Sequence, residues 1–428
     1  MHFALEIFRY PFPVSTPFPL TLITHVGLRF LISVLVILCT LLSPTRGLTA
    51  DRSQMQMIGP QVSPTESMQA EEIQALKDRV EVLETQQNSI LDDLSQRVIL
   101  GGYGSVEFES FGGAKTSFEG KLEVLIAGQI HDRIRFYNEI DLGIPAGEAH
   151  AEQAYVDLLL AKWINLRGGV VLVPFGKWNL DHFDPRRDLT DRPLVARQIV
   201  PTTWGDLGAS IFGLIPWTPS LISTYEVAVI NGLTDQFSPT TGGLQDAKSP
   251  LGRDNNGQKA VVGRATVKFA DQYEIGLSGY RGASSPNNGK TITGVDVDLE
   301  FKPRGIPFWE DFELKGELAN FEINGSSTPS RLFGHYIQVN YHFWPSLLNH
   351  TFLGAPYTHP TFTLVGRYDH ARISTRAGTG NLTEDRFTIG LNYRPIENYV
   401  IKTEYQFNEG GIERKSWNGF IASIAWLF

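Results

Sequence analysis

Hydrophobic and polar residues alternate with a period of two from Gly101 to Phe428. Val106 and Phe108 alternate with Glu107 and Glu109, and Ile134 and Phe136 with Arg133, Arg135, Tyr137 and Glu139. Further on, Val295, Val297, Leu299 and Phe301 alternate with Asp296, Asp298 and Glu300, and Phe387, Ile389, Leu391 and Tyr393 with Arg386, Thr388, Asn392 and Arg394. Side chains two apart on a strand share a face, so each segment carries one apolar wall and one polar wall. A soluble sandwich shares that pattern. Counting separates the two. Candidate strands fall near 102–111, 120–129, 132–141, 152–161, 165–173, 205–214, 222–231, 259–270, 273–281, 291–301, 311–321, 332–343, 361–371, 385–394, 397–408 and 416–428, sixteen in all. Long polar connections (174–204, 232–258, 282–290, 372–384) follow odd-numbered strands, and short ones (270–272, 395–396) mostly follow even-numbered strands. An even number of strands with short turns at one end and long loops at the other predicts an all-β fold, a transmembrane antiparallel barrel. The connection 344–360, with Pro345, Pro356 and Pro360, departs from the alternation and leaves fourteen or eighteen strands as alternatives.

Upstream the period is different. Ile73, Leu76, Val80, Leu83, Gln87, Ile90 and Leu94 recur at intervals of three and four, between charged residues such as Glu71, Lys77, Arg79 and Glu84. That is a heptad seam and predicts a short self-associating coil over 66–98; an amphipathic helix lying on the protein's own surface is the alternative. Residues 51–65 read as a polar linker. Within residues 1–50 the apolar run 30–42 follows Arg29 and precedes small residues, the organisation of a secretory signal peptide. A run so short is a poor membrane anchor. The proline-rich residues 1–25 fit neither signal nor domain, as if translation began further downstream. The predicted order is therefore leader, linker, periplasmic coil, and a barrel over 101–428.

Composition narrows the function. A net charge of −9 and a pI near 5.6 argue against nucleic-acid binding, which requires a basic surface. Cys39 is the only cysteine and lies in the leader, which excludes a disulfide framework or a multi-cysteine metal site and suits export through an oxidising compartment. No H-E-x-x-H, G-x-S-x-G or phosphate-cradling glycine motif is present, so no enzymatic activity and no cofactor are expected. His182 lies beside Asp181 and Asp184 without a second histidine nearby, and no metal site is assigned to it.

In the final strand Phe420, Ala422, Ile424, Trp426 and Phe428 alternate with Ile421, Ser423, Ala425 and Leu427. This resembles the signal read by the barrel-insertion machinery of Gram-negative bacteria, which Phe420, Ile424, Trp426 and Phe428 would carry. A sixteen-stranded barrel is too wide for its side chains to fill, and encloses a water channel unless something narrows it. The segment 174–204 is suited to that role. It combines Lys177, Arg186, Arg187, Arg192 and Arg197 with Asp181, Asp184 and Asp188, and carries Phe175, Trp178, Leu180, Phe183, Leu189, Leu194, Val195 and Ile199, which a solvated loop would not need. It is expected to fold inward and set a charged constriction, with Arg133 and Arg135 on the pore wall. An exterior lid is the alternative.

Ala154-Tyr-Val-Asp-Leu158, Leu166-Arg-Gly-Gly-Val170, Val173-Pro-Phe-Gly176, Asp191-Arg-Pro-Leu-Val195, Val200-Pro201 and Gly205-Asp-Leu-Gly208 resemble the phosphate-selective porin (porin O and P) family. The resemblance implies a homotrimeric sixteen-stranded porin of the Gram-negative outer membrane, set in lipid and lipopolysaccharide, with its third long loop inside the pore. Arginine and lysine ladders that select phosphate in that family have no residue-by-residue match here. The expected function is a diffusion channel for small solutes, with anions preferred and phosphate a candidate among them. A sugar or non-selective channel, and a receptor or adhesin barrel without transport, are the alternatives.

Overall fold

The computed structural model describes residues 97–428 except 114, 145–148, 237–242, 250, 252–253, 255–256, 286–288, 326–328, 375–380 and 413–416. The leader, the linker and the heptad from Ile73 to Leu94 lie outside the described residues.

Sixteen strands are present among the described residues. They are β1 Val98–Phe111, β2 Ser117–His131, β3 Ile134–Ile144, β4 Ala149–Ala161, β5 Ile164–Leu172, β6 Gly205–Thr218, β7 Leu221–Ile230 and β8 Ala260–Phe269, then β9 Tyr273–Ala283, β10 Thr291–Phe301, β11 Phe312–Asn324, β12 Arg331–Phe343, β13 Thr361–Ser374, β14 Leu382–Ile396, β15 Tyr399–Gly410 and β16 Gly419–Leu427. Each pairs antiparallel with its sequence neighbours. β1 meets β16 in register from Tyr103↔Leu427 to Phe111↔Gly419, which closes the sheet and leaves no strand with unpaired backbone groups at an edge.

Facing settles the choice between barrel and sandwich. On β10, Val295, Val297 and Leu299 are 49%, 45% and 41% exposed, whereas Asp296 and Asp298 are 0% and 1% exposed. The same inversion holds on β14, where Phe387, Ile389 and Leu391 point outward and Arg386, Thr388 and Asn392 are buried. An apolar outside around an ionised inside is unstable in water and suited to hydrocarbon. Aromatic side chains gather at the short-connection ends of β8–β14, with Tyr273 4.8 Å from Phe301 and Phe312 4.9 Å from Tyr341. No described helix is long and apolar enough to cross a membrane.

The proline-rich connection 344–360 adds no strand. It holds one turn of 3-10 helix at Ser346–Leu348, Trp344 stacks on Phe362 at 5.5 Å, and the Tyr393 hydroxyl donates to Leu353 O. In β16, Phe420 and Ile424 face outward, Trp426 is half-buried and Phe428 is exposed, while Ile421, Ser423 and Ala425 face inward. Arg133 corrects the strand assignment near 132–141. It sits in the two-residue turn before β3 and is exposed, because the chain reverses at Asp132-Arg133 and β3 begins at Ile134.

Candidate functional site

The segment 174–204 leaves the end of β5 and lies against inward-facing side chains of distant strands. Gly176 makes the first turn, with φ of 73°. Its N–H donates to Ser278 Oγ on β9 at 3.1 Å, and a Cβ there would lie 2.6 Å from Glu317 Oε1 on β11, so only glycine fits this approach. The short helix α1, Lys177–Leu180, follows, and Trp178 N–H donates to Glu317 at 2.9 Å. Asn179 is buried and staples the two ends of the segment together: it donates to Val173 O at 2.9 Å and accepts from Trp204 N–H at 2.8 Å.

Two forces hold the segment. Phe175, Leu194, Val195, Ile199, Val200 and Trp204 are at most 1% exposed and pack with Ile230, Ile292, Phe321, Leu332 and Ile373, inward-facing residues of β7 and β10–β13. Phe175 lies 4.8 Å from Phe321, and Trp204 lies 5.2 Å from Tyr280. Fixed polar contacts then set the path. Lys402 Nζ donates to Asp184 O at 2.7 Å, Arg386 Nη1 to Asp191 Oδ2 at 2.8 Å, Arg367 Nη1 to Asp191 O at 3.0 Å, and Thr190 N–H to Glu404 at 2.7 Å. A second segment, 243–249, joins it. Gly243 approaches Gln198 O closely enough that any Cβ would clash at 1.8 Å, and Lys248 Nζ donates to Thr203 O at 3.2 Å.

A cavity of about 1170 Å³ remains inside the barrel, bordered by this segment and by β1–β4. Arg187, Arg192 and Arg197 from the segment and Lys248 line it together with Glu107 and Glu109 of β1, Asp141 of β3 and Glu152 of β4. Positive groups thus come mainly from the inserted segment and negative groups mainly from the wall. Arg187 also ion-pairs with Asp184, Arg197 ion-pairs with Asp191, and Arg192 Nη1 donates to Thr202 O at 2.6 Å. Burial and the neighbouring Arg192 nevertheless lower the Arg187 pKa to about 10, burial and Arg197 lower that of Arg192, and burial and Arg192 lower Lys248 to about 8. Positive charge on the inserted segments is crowded at this place.

Other residues expected at the constriction are placed elsewhere. Lys177 pairs with Glu300 and, at 2.9 Å, with Glu274, away from the cavity. Asp188 meets Lys315 Nζ at 2.8 Å and Asn340 Nδ2 at 2.8 Å; burial opposes its charge, but Lys315 and Asn340 hold its carboxyl well below the usual range. Arg186 turns its guanidinium over the Phe183 ring at 5.6 Å, and Asp181 caps α1 with its N–H on Lys177 O; neither borders the cavity. Asp184 does border it and accepts from Ser105 Oγ at 2.7 Å. On the wall, Arg135 donates to Asp157 at 2.9 Å and is buried.

Two lining residues escape sequence reasoning for a structural reason. Glu152 is the extra residue of a bulge: Glu139 pairs with Gln153 and Ile140 with Ala151, so Glu152 and Gln153 break the alternation and both carboxylate and amide reach the inside. Lys248 comes from an irregular connection with no period to read. Glu107 and Glu109 were visible as the polar partners of Val106 and Phe108.

No family model matches the chain. A protein of Aquifex aeolicus (strain VF5) described as uncharacterized is 26% identical over 365 residues, covering 77% of this chain and 80% of that one. Among solved structures, the chain is similar to Salmonella typhi OmpF in complex with daunomycin, with a TM-score of 0.52 and 10% identity, over 77% of this chain and 97% of that one. A loop L8 deletion mutant of OmpT, an outer membrane protein of Vibrio cholerae, gives 0.51 and 10% over 77% and 99%. Pseudomonas putida OprB gives 0.50 and 9% over 81% and 97%. The chain has the fold of an outer-membrane β-barrel. At these identities the likeness concerns the path of the backbone, and the chemistry of the lumen has to be argued from this chain's own side chains.

Proposed function

We propose that the protein is an outer-membrane porin, a water-filled channel through which small solutes diffuse, with a modest preference for anions. The carrying observation is the charged lining of the cavity, where most cations (Arg187, Arg192, Arg197, Lys248) belong to the inserted segments and most anions (Glu107, Glu109, Glu119, Asp141, Glu152) to the wall, with Lys121 on the wall and Asp184 and Asp191 on the segment as exceptions. Fixed charges at a narrow place bordered by low-dielectric protein act on a passing ion more strongly than the same charges on an open surface. An anion travels along the inserted segment, where it relieves the crowding of positive charge. A cation travels along the wall. Zwitterions and polar solutes orient between them.

Selection of phosphate is not part of this reading. Among the described inward-facing arginines, Arg135 and Arg167 are held by Asp157, Arg264 by Asp298, Arg367 by Asp369 and Arg386 by Asp191. Arginines so engaged offer no continuous ladder to a dianion. The barrel's apolar exterior supports placement in the outer membrane, and a trimer fits the same reading. The test is reconstitution of purified protein in a planar bilayer under a KCl gradient. Stepwise conductance with a reversal potential on the anion side, little changed by added phosphate, supports the proposal. Absence of conductance favours a receptor or adhesin barrel, and block by low phosphate restores the narrow specificity.

A further inference from the structure

Where the inserted segment meets β2–β4, one imidazole and three carboxylates converge. Ligand atoms of His182, Glu123, Glu139 and Glu152 all lie within 4.8 Å of one another. His182 Nε2 is 2.9 Å from Glu152 Oε2 and 3.7 Å from Glu139 Oε1. His182 Nδ1 is 3.2 Å from Asn179 O, a carbonyl that can only accept, so Nδ1 carries the hydrogen and Nε2 is the atom turned toward the carboxylates. A backbone carbonyl on the distal ring nitrogen is how metal-binding histidines are commonly oriented.

Of the three carboxylates, Glu123 has the fewest partners. Glu123 is 0% exposed; Lys121 ion-pairs with its Oε1, and its Oε2 has no hydrogen-bond partner among the described residues. Glu139 is also 0% exposed and accepts from Gln153 Nε2 and, at 3.4 Å, from the Tyr103 hydroxyl. Lys121 reaches Glu152 Oε1 only at 3.8 Å. Carboxylates in buried contact repel unless a proton or a cation stands between them; without a metal, a proton on His182 Nε2 and the Lys121 ammonium take that place.

We propose that this cluster binds one divalent transition-metal ion through His182 Nε2 and an oxygen from each of Glu123, Glu139 and Glu152. Calcium and magnesium take oxygen ligands, whereas an imidazole joined to carboxylates suits zinc, manganese or iron. Glu152 also borders the cavity, which provides a route of entry from water. The ion would tie the inserted segment, through His182, to three adjacent wall strands. The alternation of β4 does not reveal the site, because its third carboxylate enters at the bulge.

The test uses the full-length protein without a histidine tag, folded in detergent and stripped with EDTA, titrated calorimetrically with ZnCl2, MnCl2 and CaCl2 in separate arms. One equivalent of zinc or manganese should bind more tightly than calcium. Glu123→Gln, which keeps the side chain's shape, and His182→Ala should each weaken that binding at least tenfold while the heat-modifiable migration of the folded barrel stays unchanged. The proposal is overturned if stripped wild-type protein takes up neither zinc nor manganese saturably at millimolar concentrations, as expected when a shared proton holds the carboxylates together. It is also overturned if calcium binds as tightly as zinc, or if Glu123→Gln, in a protein that still folds, binds zinc like the wild type.

Discussion

Two stretches of the inserted segment carry the same kind of charge in opposite circumstances. At Lys177 the ammonium sits between Glu274 and Glu300, and these carboxylates outweigh its burial and raise its pKa. At Arg187, Arg192 and nearby Lys248, burial and mutual repulsion outweigh the available carboxylates and lower it. The Lys177 end lies against β9–β11 and is electrostatically satisfied. The Arg187–Arg197 stretch borders the cavity, and there the cations crowd one another although Arg187 and Arg197 also pair with Asp184 and Asp191. A list of charged residues cannot distinguish an anchor from a filter; the balance of partners around each charge can. Anchors resist ions because their field is already cancelled, whereas crowded like charges gain from any anion that comes near.

The comparison breaks most sharply at the anchors. Arg386 is fully buried and joins Asp191 Oδ2 at 2.8 Å and Asn408 at 2.8 Å. Removing one partner of a buried ion pair costs roughly 3–5 kcal/mol. Arg386→Ala should therefore loosen the middle of the segment from β14 and β15, visible as higher single-channel conductance and as protease cleavage within 184–204. Conductance and cleavage identical to wild type would show that the apolar packing of Leu194, Val195 and Ile199 holds the segment without this pair.

Much of this arrangement was legible in the residue pattern, and the losses have physical causes. The strands were readable because a barrel imposes a strict alternation, and β10 matches its expected range 291–301. That Phe175, Leu194, Val195 and Ile199 of 174–204 are buried is readable from the sequence, since a solvated loop would have nothing to bury them against. What each charge does was not readable. Lys177 and Asp188 have partners on β9–β12, far away in sequence, and only the closed register brings Glu274, Glu300, Lys315 and Asn340 to them. Arg133 lies one residue before β3 and not on it, because a two-residue connection between alternating strands carries no break in polarity. Glu152 was hidden by its bulge, so His182 looked isolated when it has three carboxylates beside it.

The second way to sharpen the comparison is at the filter itself. A unit charge about 8 Å from an ion, at an effective dielectric of about 40, contributes roughly 1 kcal/mol. These charges act in opposite senses on chloride and potassium, so Arg187→Ala combined with Arg192→Ala should lower the ratio of chloride to potassium permeability by about tenfold or more, read from the reversal potential in a KCl gradient. Lys177→Ala, at the satisfied end, should leave the ratio nearly unchanged. Equal effects of the two changes would erase the distinction between anchor and filter.

The smallest expected effect is a dependence on pH. Lys248 is lowered to about 8 by burial and by Arg192, so its amine is charged below that pH and neutral above it. The change removes one positive charge from the basic residues of the cavity. Anion preference should decline as pH is raised from 7 to 9. Lys248→Met should show the lower preference already at pH 7, and no decline. The arginines stay charged over this range, Arg187 included with a pKa of about 10, so they set the remaining preference in both proteins. A decline that persists unchanged in Lys248→Met would assign the titration to another group and remove Lys248 from the filter.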